Sequence, residues 1–260
     1  MASNGAWRRL GPVSGGALAH LDALERLARE VAATSSPLLY WYLHEPPALV
    51  LGQSQRPEQV DLAATRRAGL EVAIRRAGGT AVLADAGLLS LAAVLPASHP
   101  LVDADLTASY RWLGEALAEA SRRLGVPAAV VSVPEARADR AALERSTGAG
   151  RARAASCFGT LSPYEVVVDG RKLWGLAQVR RRGVALYVAG LLRDTDPGRL
   201  ADFLAVPVED RPPLADELRR RAVSLSALLG RAPDEAEVIA AVEATLQATL
   251  GVRVVAARRS

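Results

Sequence analysis

The only cysteine and the only lysine of this 260-residue chain, Cys157 and Lys172, lie fifteen residues apart. A cysteine is nucleophilic when it is partly exposed and a positive neighbour favours its thiolate. Lysine offers a compact ammonium that binds a carboxylate or a carbonyl oxygen as a point charge. Every other basic residue is an arginine, so a position that keeps lysine is a candidate for such binding. The alternatives are a small buried cysteine and a lysine that survives by chance.

A second group of candidates follows a predicted strand, in the segment Arg75-Arg76-Ala-Gly78-Gly79. Its spacing matches neither a P-loop nor a dinucleotide-binding fingerprint. Paired glycines still allow the backbone to approach a ligand closely, and arginines can pair with a carboxylate or a phosphate. The alternative is a tight turn with solvated arginines. Asp85 lies six residues after Gly79, either as a further site residue or as a plain turn residue.

Composition and charge limit the class of protein. Half of the residues are hydrophobic, enough for a sizeable core, and the formal net charge is +4. The arginines are scattered in pairs and aromatic residues make up only 4%, so no nucleic-acid groove is predicted, whereas a basic surface can attract an acidic protein. A single cysteine excludes a disulfide scaffold and a cysteine zinc cluster, and no metal site is predicted. Without a long apolar run or a secretory signal, we expect a cytoplasmic protein with no membrane span.

Hydrophobic periodicity and turn residues predict the elements that must position these side chains. Helices are predicted over residues 16–33, 58–68, 106–124 and 233–250. Strands are predicted over residues 38–43, 48–51, 70–74, 88–95, 163–168, 173–179, 184–192 and 252–256. The first two strands are expected to flank a turn, Asp169-Gly170 predicts a hairpin, and residues 131–156 are expected to form a long loop. This irregular order predicts an α+β fold in which residues 1–210 form the main domain and residues 211–260 a helical extension packed on it.

Together these segments resemble the lipoate–protein ligase and octanoyltransferase family, relatives of the biotin protein ligases. The resemblance rests on the segments Pro47 to Gly52, Arg75 to Asp85, and Asp169-Gly-Arg-Lys-Leu-Trp-Gly-Leu-Ala-Gln178, and on the helix after Pro233 with the ending Gly251 to Val254. It implies the catalytic-domain fold of that family, a mixed and largely antiparallel sheet with packed helices. It also implies that Lys172 contacts the acyl carbonyl or an acyl-adenylate. The substrate-binding positions that it implies are Arg75, Arg76, Gly78, Gly79, Asp85, Gly175, Ala177 and Gln178.

The segment around the cysteine, Ala155 to Glu165, is similar to the Cys-Phe…Tyr-Glu segment of cysteine-dependent octanoyltransferases, in which the cysteine holds the acyl group as a thioester. The resemblance implies that Cys157 transfers an octanoyl or lipoyl group to the lysine of a lipoyl-domain protein. It implies an acyl carrier protein as the donor and no cofactor. One alternative is a lipoate ligase that uses ATP and magnesium to form an acyl-adenylate. Another is a catalytically impaired protein that binds an acyl group or a carrier.

The chain departs from the family pattern at positions that are usually polar. Ala84 stands where the family has histidine before Asp85, and Leu176 stands where serine is usual. Val188 lies in the segment Tyr187-Val-Ala-Gly190, which replaces a run containing histidine and serine or threonine. These differences imply a more apolar ligand pocket with fewer polar contacts.

Overall fold

The computed structural model describes residues 6–257, which form two sheets and eight α-helices. The strands are β1 (Trp7–Gly15), β2 (Leu38–His44), β3 (Ala48–Leu51), β4 (Glu71–Ile74), β5 (Val82–Ala84), β6 (Leu88–Pro96), β7 (Ala129–Val130), β8 (Val166–Val168), β9 (Arg171–Arg181), β10 (Val184–Leu192) and β11 (Val254–Ala256). The helices are α1 (Ala17–Thr34), α2 (Leu62–Arg67), α3 (Arg111–Arg123), α4 (Val133–Glu144), α5 (Gly148–Ala152), α6 (Arg211–Arg221), α7 (Leu225–Leu229) and α8 (Glu235–Leu250).

The main sheet has eight strands in the order β11-β1-β2-β6-β10-β9-β8-β7. Strand β1 runs parallel to β2 and β11, whereas the pairs from β2 through β6, β10, β9, β8 and β7 are antiparallel. A smaller sheet has the order β4-β3-β5. The predicted α+β class with a largely antiparallel sheet is therefore confirmed.

The two faces of the main sheet have different roles. One face packs against α3 and α8 in the largest hydrophobic core, around Trp41, Trp112 and Tyr187. The opposite face packs against α1, whose Leu24 and Val31 contact strand residues of β2, β6 and β10. Successive side chains of a strand point to opposite faces of the sheet. The register of the paired strands therefore determines which residues lie side by side on the face that packs against α1. Tyr42 pairs with Ser90 and Ser90 with Gly190, so one row of the sheet carries small and polar groups on this face.

Several predicted elements are confirmed because their signals are local. Helices α1 and α8 follow the expected periodicity, and Gly251 ends α8 in the left-handed conformation. The hairpin between β8 and β9 turns at Asp169 and Gly170, which both have positive φ as a type I′ turn requires. The helix predicted over residues 106–124 begins as a 3-10 turn at Ala108 and continues as α3, so that Leu106 lies outside it and is exposed.

Strands β2 and β3 flank a turn as predicted, although they do not pair with each other, because β3 leaves the main sheet and forms the centre of the small one. Trp7–Gly15, for which no element was predicted, forms strand β1. One expectation was wrong. Residues 131–156 contain α4 and α5 rather than a long loop. The signal for α4 was present in the sequence as a capping box, in which Ser132 and Glu135 satisfy each other's backbone N–H groups.

The last helices pack on the rest of the chain at two places. Helix α8 packs against α3, and α6 packs against the 3-10 segment Pro197–Phe203. Strand β11 then joins the main sheet beside β1. The division of the chain at residue 210 stays a prediction.

Candidate active site

A cavity of about 660 Å³ lies between α1, the main sheet and the Arg75–Gly79 loop. This volume is within the range of small-molecule sites. Much of its wall is apolar, with contributions from Leu21, Leu24, Val50, Val82, Leu88 and Leu186. Two lining residues, Leu18 and Ile74, are about half exposed, 54% and 48% respectively. These two side chains therefore mark the opening of the cavity to solvent.

Most of the sequence-predicted site residues line this cavity. They are Arg75, Arg76, Gly78, Gly79, Cys157, Gly175, Ala177 and Gln178. Lys172 and Asp85 do not line it. The structure thus brings together the glycine loop, the cysteine and the β9 motif, but it places the lysine behind the wall.

Cys157 begins a 3-10 turn, Cys157–Gly159, and is a free, partly exposed thiol. Its backbone is fixed on both sides: its N–H donates to the carbonyl of Ala81 (2.8 Å), and its carbonyl accepts from Nζ of Lys172 (2.8 Å). The following Phe158 is buried against Gly175, where a Cβ would lie 3.4 Å from the Phe158 ring. The cysteine therefore sits on a turn whose backbone is held in place while its side chain reaches the cavity.

Lys172 is fully buried, with 1% of its side chain exposed, and forms an ion pair with Glu165 at 2.7 Å. The second oxygen of Glu165 accepts from the N–H of Leu176 (3.2 Å), and the first also accepts from Ser162 (2.7 Å). Burial raises the pKa of Glu165, whereas Lys172 and the backbone donors act in the opposite direction. Glu165 was not among the predicted site residues, although it closes the Cys-Phe…Tyr-Glu segment that carries the resemblance.

Arg75 turns back onto its own loop rather than toward the centre of the cavity. Its guanidinium donates to the carbonyls of Gly78 (3.1 Å) and Thr80 (2.9 Å). Gly79 has a φ of +90°, and a Cβ there would lie 2.7 Å from this guanidinium. The hydrogen bonds of Arg75 thus stabilise the conformation of the glycine loop.

Gly52 of the Pro47–Gly52 segment packs directly on the glycine loop, since a Cβ on Gly52 would lie 1.8 Å from the carbonyl oxygen of Gly79. We expect Gly52→Ala to force the loop away and to lower the free energy of unfolding by about 1–3 kcal/mol. Urea unfolding measures this change. Gly78→Ala is the matched control, because a Cβ there meets no atom within 4 Å. Equal stability of the two variants would contradict the expected close contact.

The remaining charged candidates have separate roles. Arg76 is 71% exposed and lies 3.8 Å from Glu25, which also pairs with Arg181 at 2.7 Å. Asp85 accepts from the N–H of Gly87 (2.9 Å) and pairs with Arg199 (3.1 Å). Asp85 therefore holds the turn between β5 and β6 outside the cavity, as its alternative interpretation in the sequence suggested.

Comparison with known proteins decides the family. Residues 17–247 match the model of the lipoyl protein ligase A/B catalytic domain. This chain belongs to that family. Octanoyltransferase LipM of Kyrpidia tusciae is 39% identical over 206 residues, which cover 77% of this chain and 70% of that protein. Octanoyltransferase LipM of Geobacillus kaustophilus is 34% identical over 197 residues, which cover 75% and 68%.

Solved structures of this family share the fold. A crystal structure of lipoate-protein ligase A bound with ATP has a TM-score of 0.74 at 21% identity, and the match covers 98% of this chain and 90% of that one. A bi-partite lipoate protein ligase from Thermoplasma acidophilum also has a TM-score of 0.74, at 23% identity, with 98% and 88% covered. The family predicted from the motifs is confirmed.

The positions at which this chain departs from the family pattern lie in or behind the cavity wall. Leu176 and Val188 line the cavity, whereas Ala84 is fully buried in the small sheet. Val188 faces Ala177 across the β9–β10 pair. Both Leu176 and Val188 thus contribute hydrocarbon to this part of the wall.

A polar cluster that sequence reasoning missed lines another part of the cavity, formed by Tyr42, His44, His20 and Ser90. Nε2 of His20 donates to the carbonyl of Leu43 (2.8 Å), and its Nδ1 shares a hydrogen bond with the hydroxyl of Tyr40 (2.8 Å). The Tyr42 and His44 rings lie 5.4 Å apart and the His20 and His44 rings 5.3 Å apart. The sequence gave no signal for this cluster, because α1, β2 and β6 come together only in the folded chain.

Burial lowers the pKa of His44 to about 4, and the neighbouring His20 adds to the shift. In the unfolded chain His44 therefore binds a proton as the pH falls through 6.5, whereas in the folded chain it does so only near pH 4. Acidification from pH 7 to pH 5 should cost ~2 kcal/mol of unfolding free energy through this group. Urea unfolding at both pH values, with His44→Gln as the comparison, measures it. An equal pH effect in the variant would assign the loss to other groups.

Two further properties concern residues 6–257. No three histidine, cysteine or acidic side chains in this range form a group that could hold a metal ion. None of the described helices is both long and apolar enough to cross a membrane.

Proposed function

We propose that this protein transfers an octanoyl group to the lysine of a lipoyl-domain protein through a thioester on Cys157, as a step of protein lipoylation. The observation that carries the proposal is that the only cysteine of the chain lies in the wall of an apolar cavity. The relatives named octanoyltransferase support the same acyl group. An eight-carbon chain contributes roughly 5 kcal/mol of binding free energy when its methylenes leave water, which the leucine and valine wall permits.

The reaction proceeds in two transfers. The thiolate of Cys157 attacks the carbonyl carbon of the donor thioester, a new S–C bond forms, and the donor thiol leaves with the proton that Cys157 gave up. The acceptor lysine amine then attacks the acyl-enzyme, an amide bond forms, and Cys157 recovers a proton from that amine. Splitting the transfer lowers the barrier of each step.

Lys172 and Glu165 support this chemistry from behind the wall. The ammonium of Lys172 holds the carbonyl of Cys157, while Glu165 holds the ammonium. Since Lys172 does not line the cavity, its role here is to position the cysteine turn. Its direct contact with the acyl oxygen, which the resemblance implies, stays a prediction.

Substrates and location follow from the same chemistry. The donor thioester already carries an activated acyl group, so the transferase needs no cofactor, whereas ATP and magnesium would be required by the ligase alternative. We propose an acyl carrier protein as the donor and a lipoyl-domain protein as the acceptor. The net charge of +4 and the exposed Arg76 at the cavity would favour acidic carriers. A reducing cytoplasm would keep Cys157 as a thiol.

The test supplies a purified lipoyl-domain acceptor with either octanoyl carrier protein or octanoate plus ATP and magnesium, and follows the acceptor mass. We expect a mass gain only with the thioester donor, together with a hydroxylamine-labile adduct on the enzyme. A gain that requires ATP would favour the ligase. No gain with either donor, alongside measurable carrier binding, would favour a catalytically impaired binding protein. Either of the last two results overturns the proposal.

A further inference from the structure

The turn that carries Cys157 is held from outside the cavity by a buried ion pair between Asp139 of α4 and Arg153. Their side chains are 7% and 6% exposed, and they lie 3.3 Å apart. Neither residue lines the cavity. Removing a carboxylate and a guanidinium from water costs free energy. That cost points to a function of this pair besides packing α4 against the chain.

Each member of the pair binds the backbone next to the cysteine. Arg153 donates to the carbonyl of Gly159, the last residue of the Cys157–Gly159 turn. Asp139 accepts from the N–H of Leu161 (2.8 Å). The pair therefore fixes one backbone acceptor and one backbone donor within four residues of the sulfur.

The absence of a side chain at Gly159 allows the hydrogen bond from Arg153, because the turn packs directly on the Arg153 backbone. A Cβ on Gly159 would lie 2.2 Å from the carbonyl oxygen of Arg153. The turn is thus enclosed on two sides, by Lys172 at the Cys157 carbonyl and by Arg153 at the Gly159 carbonyl.

Helix α6 completes the ionic cluster. Arg221 donates to the same Asp139 oxygen that Arg153 contacts, and Glu217 lies 3.6 Å from Arg153. Glu217 also pairs with the exposed Arg220 (2.8 Å). These ion pairs join α4 and α6 to the cysteine turn. Helix α4 lies where the sequence predicted a loop, and α6 lies within the predicted helical extension.

We propose that Asp139 and Arg153 are positioning residues that set the Cys157 turn in the geometry for attack on the acyl carbonyl, an inference that rests on the proposed function. Nucleophilic attack depends steeply on alignment, and a misplacement of about 1 Å can reduce a rate roughly a hundredfold. The intrinsic reactivity of the thiol does not depend on that alignment. Loss of the pair should therefore slow acyl transfer without a matching loss of thiol reactivity.

The test measures the acyl-enzyme step by intact mass in single turnovers, over a range of octanoyl carrier protein concentrations. In Asp139→Asn and Arg153→Lys we expect the maximal acylation rate to fall about 10- to 100-fold, with the half-saturating donor concentration changed less than about threefold. Alkylation of Cys157 by iodoacetamide should change less than about threefold. Glu144→Gln is the matched control, because Glu144 also pairs with an arginine on α4 but is 69% exposed.

Each outcome decides a different point. An acylation rate in Asp139→Asn and Arg153→Lys within threefold of Glu144→Gln overturns the inference and leaves the proposed function intact. Equal losses of acylation and alkylation also overturn it, because they indicate general damage to the turn. A wild-type enzyme that forms no adduct on Cys157 overturns the proposed function and this inference with it. If Asp139→Asn and Arg153→Lys fail to fold, Arg221→Gln replaces them, since it loosens Asp139 by removing a partially exposed partner. A fall in its acylation rate of more than about threefold with unchanged alkylation supports the inference, and a rate within threefold of Glu144→Gln overturns it.

Discussion

Replacing Cys157 with alanine is expected to reduce octanoyl transfer from a thioester donor by at least about a thousandfold. The variant loses the nucleophile and with it the acyl-enzyme, so only direct attack by the acceptor amine remains. The acceptor mass measured over time gives the rate. The stability should change little, because Cys157 is partly exposed and its backbone hydrogen bonds to Ala81 and Lys172 do not involve the side chain.

Cys157→Ser provides the conservative comparison. The hydroxyl keeps nearly the same size but is a far weaker nucleophile at neutral pH. We expect slow transfer, and any adduct on the serine would be an ester, which hydroxylamine cleaves more slowly than the thioester of the wild-type enzyme. Retention of more than a tenth of the wild-type rate in Cys157→Ala would show that the acyl group does not pass through this residue.

Replacing Lys172 with methionine should be the most destabilising of the changes considered. It leaves the carboxylate of Glu165 buried without its charged partner, and breaking a buried pair in this way costs about 3–5 kcal/mol. Burial already raises the pKa of Glu165 and Lys172 opposes that shift, so the variant should bind a proton on Glu165 more readily. The loss of unfolding free energy should therefore be larger at pH 8 than at pH 5. Urea unfolding of both proteins at the two pH values measures it.

A double variant tests whether the loss of stability comes from the unpaired charge of Glu165. Lys172→Met combined with Glu165→Gln removes both charges, so it should be more stable than Lys172→Met alone at pH 8. A double variant that is no more stable than Lys172→Met would mean that the ion pair is not the source of the loss. Transfer activity should stay low in both variants, because the carbonyl of Cys157 has lost its ammonium donor.

Local signals in the sequence predicted the elements that depend on neighbours along the chain. The periodicity of α8 and the Asp169-Gly170 turn are complete within one segment. Strand β1 gave no such signal, because its Arg8-Arg9 and Gly11-Pro12 residues interrupt any alternation and its partners β2 and β11 come from distant parts of the chain. Helix α4 was missed for another reason: its alanines and arginines bury little apolar surface, and the helix depends on its cap and on ionic contacts.

In the site, too, local sequence signals were predicted and contacts between distant parts of the chain were not. The sequence identified Cys157 and the glycine loop, which the structure brings to one cavity. It could not show that Arg75 folds back on Gly78 or that Lys172 points at Glu165, because the direction of a side chain depends on partners that only the fold supplies. The buried pair of Asp139 and Arg153 lay in a segment without periodicity, so no pattern singled it out.

The burial of Lys172 also bears on self-modification. An enzyme that joins acyl groups to lysine amines would label itself wherever its own lysines were free. Here the chain has a single lysine, whose side chain is 1% exposed and whose amine is bound to Glu165 and to a carbonyl oxygen. Arginine, which is not acylated under these conditions because its guanidinium stays protonated, supplies every other basic side chain. The catalyst thus offers no accessible lysine that competes with its acceptor, so a lysine-linked acyl amide in a reaction mixture reports on the carrier proteins and not on the enzyme.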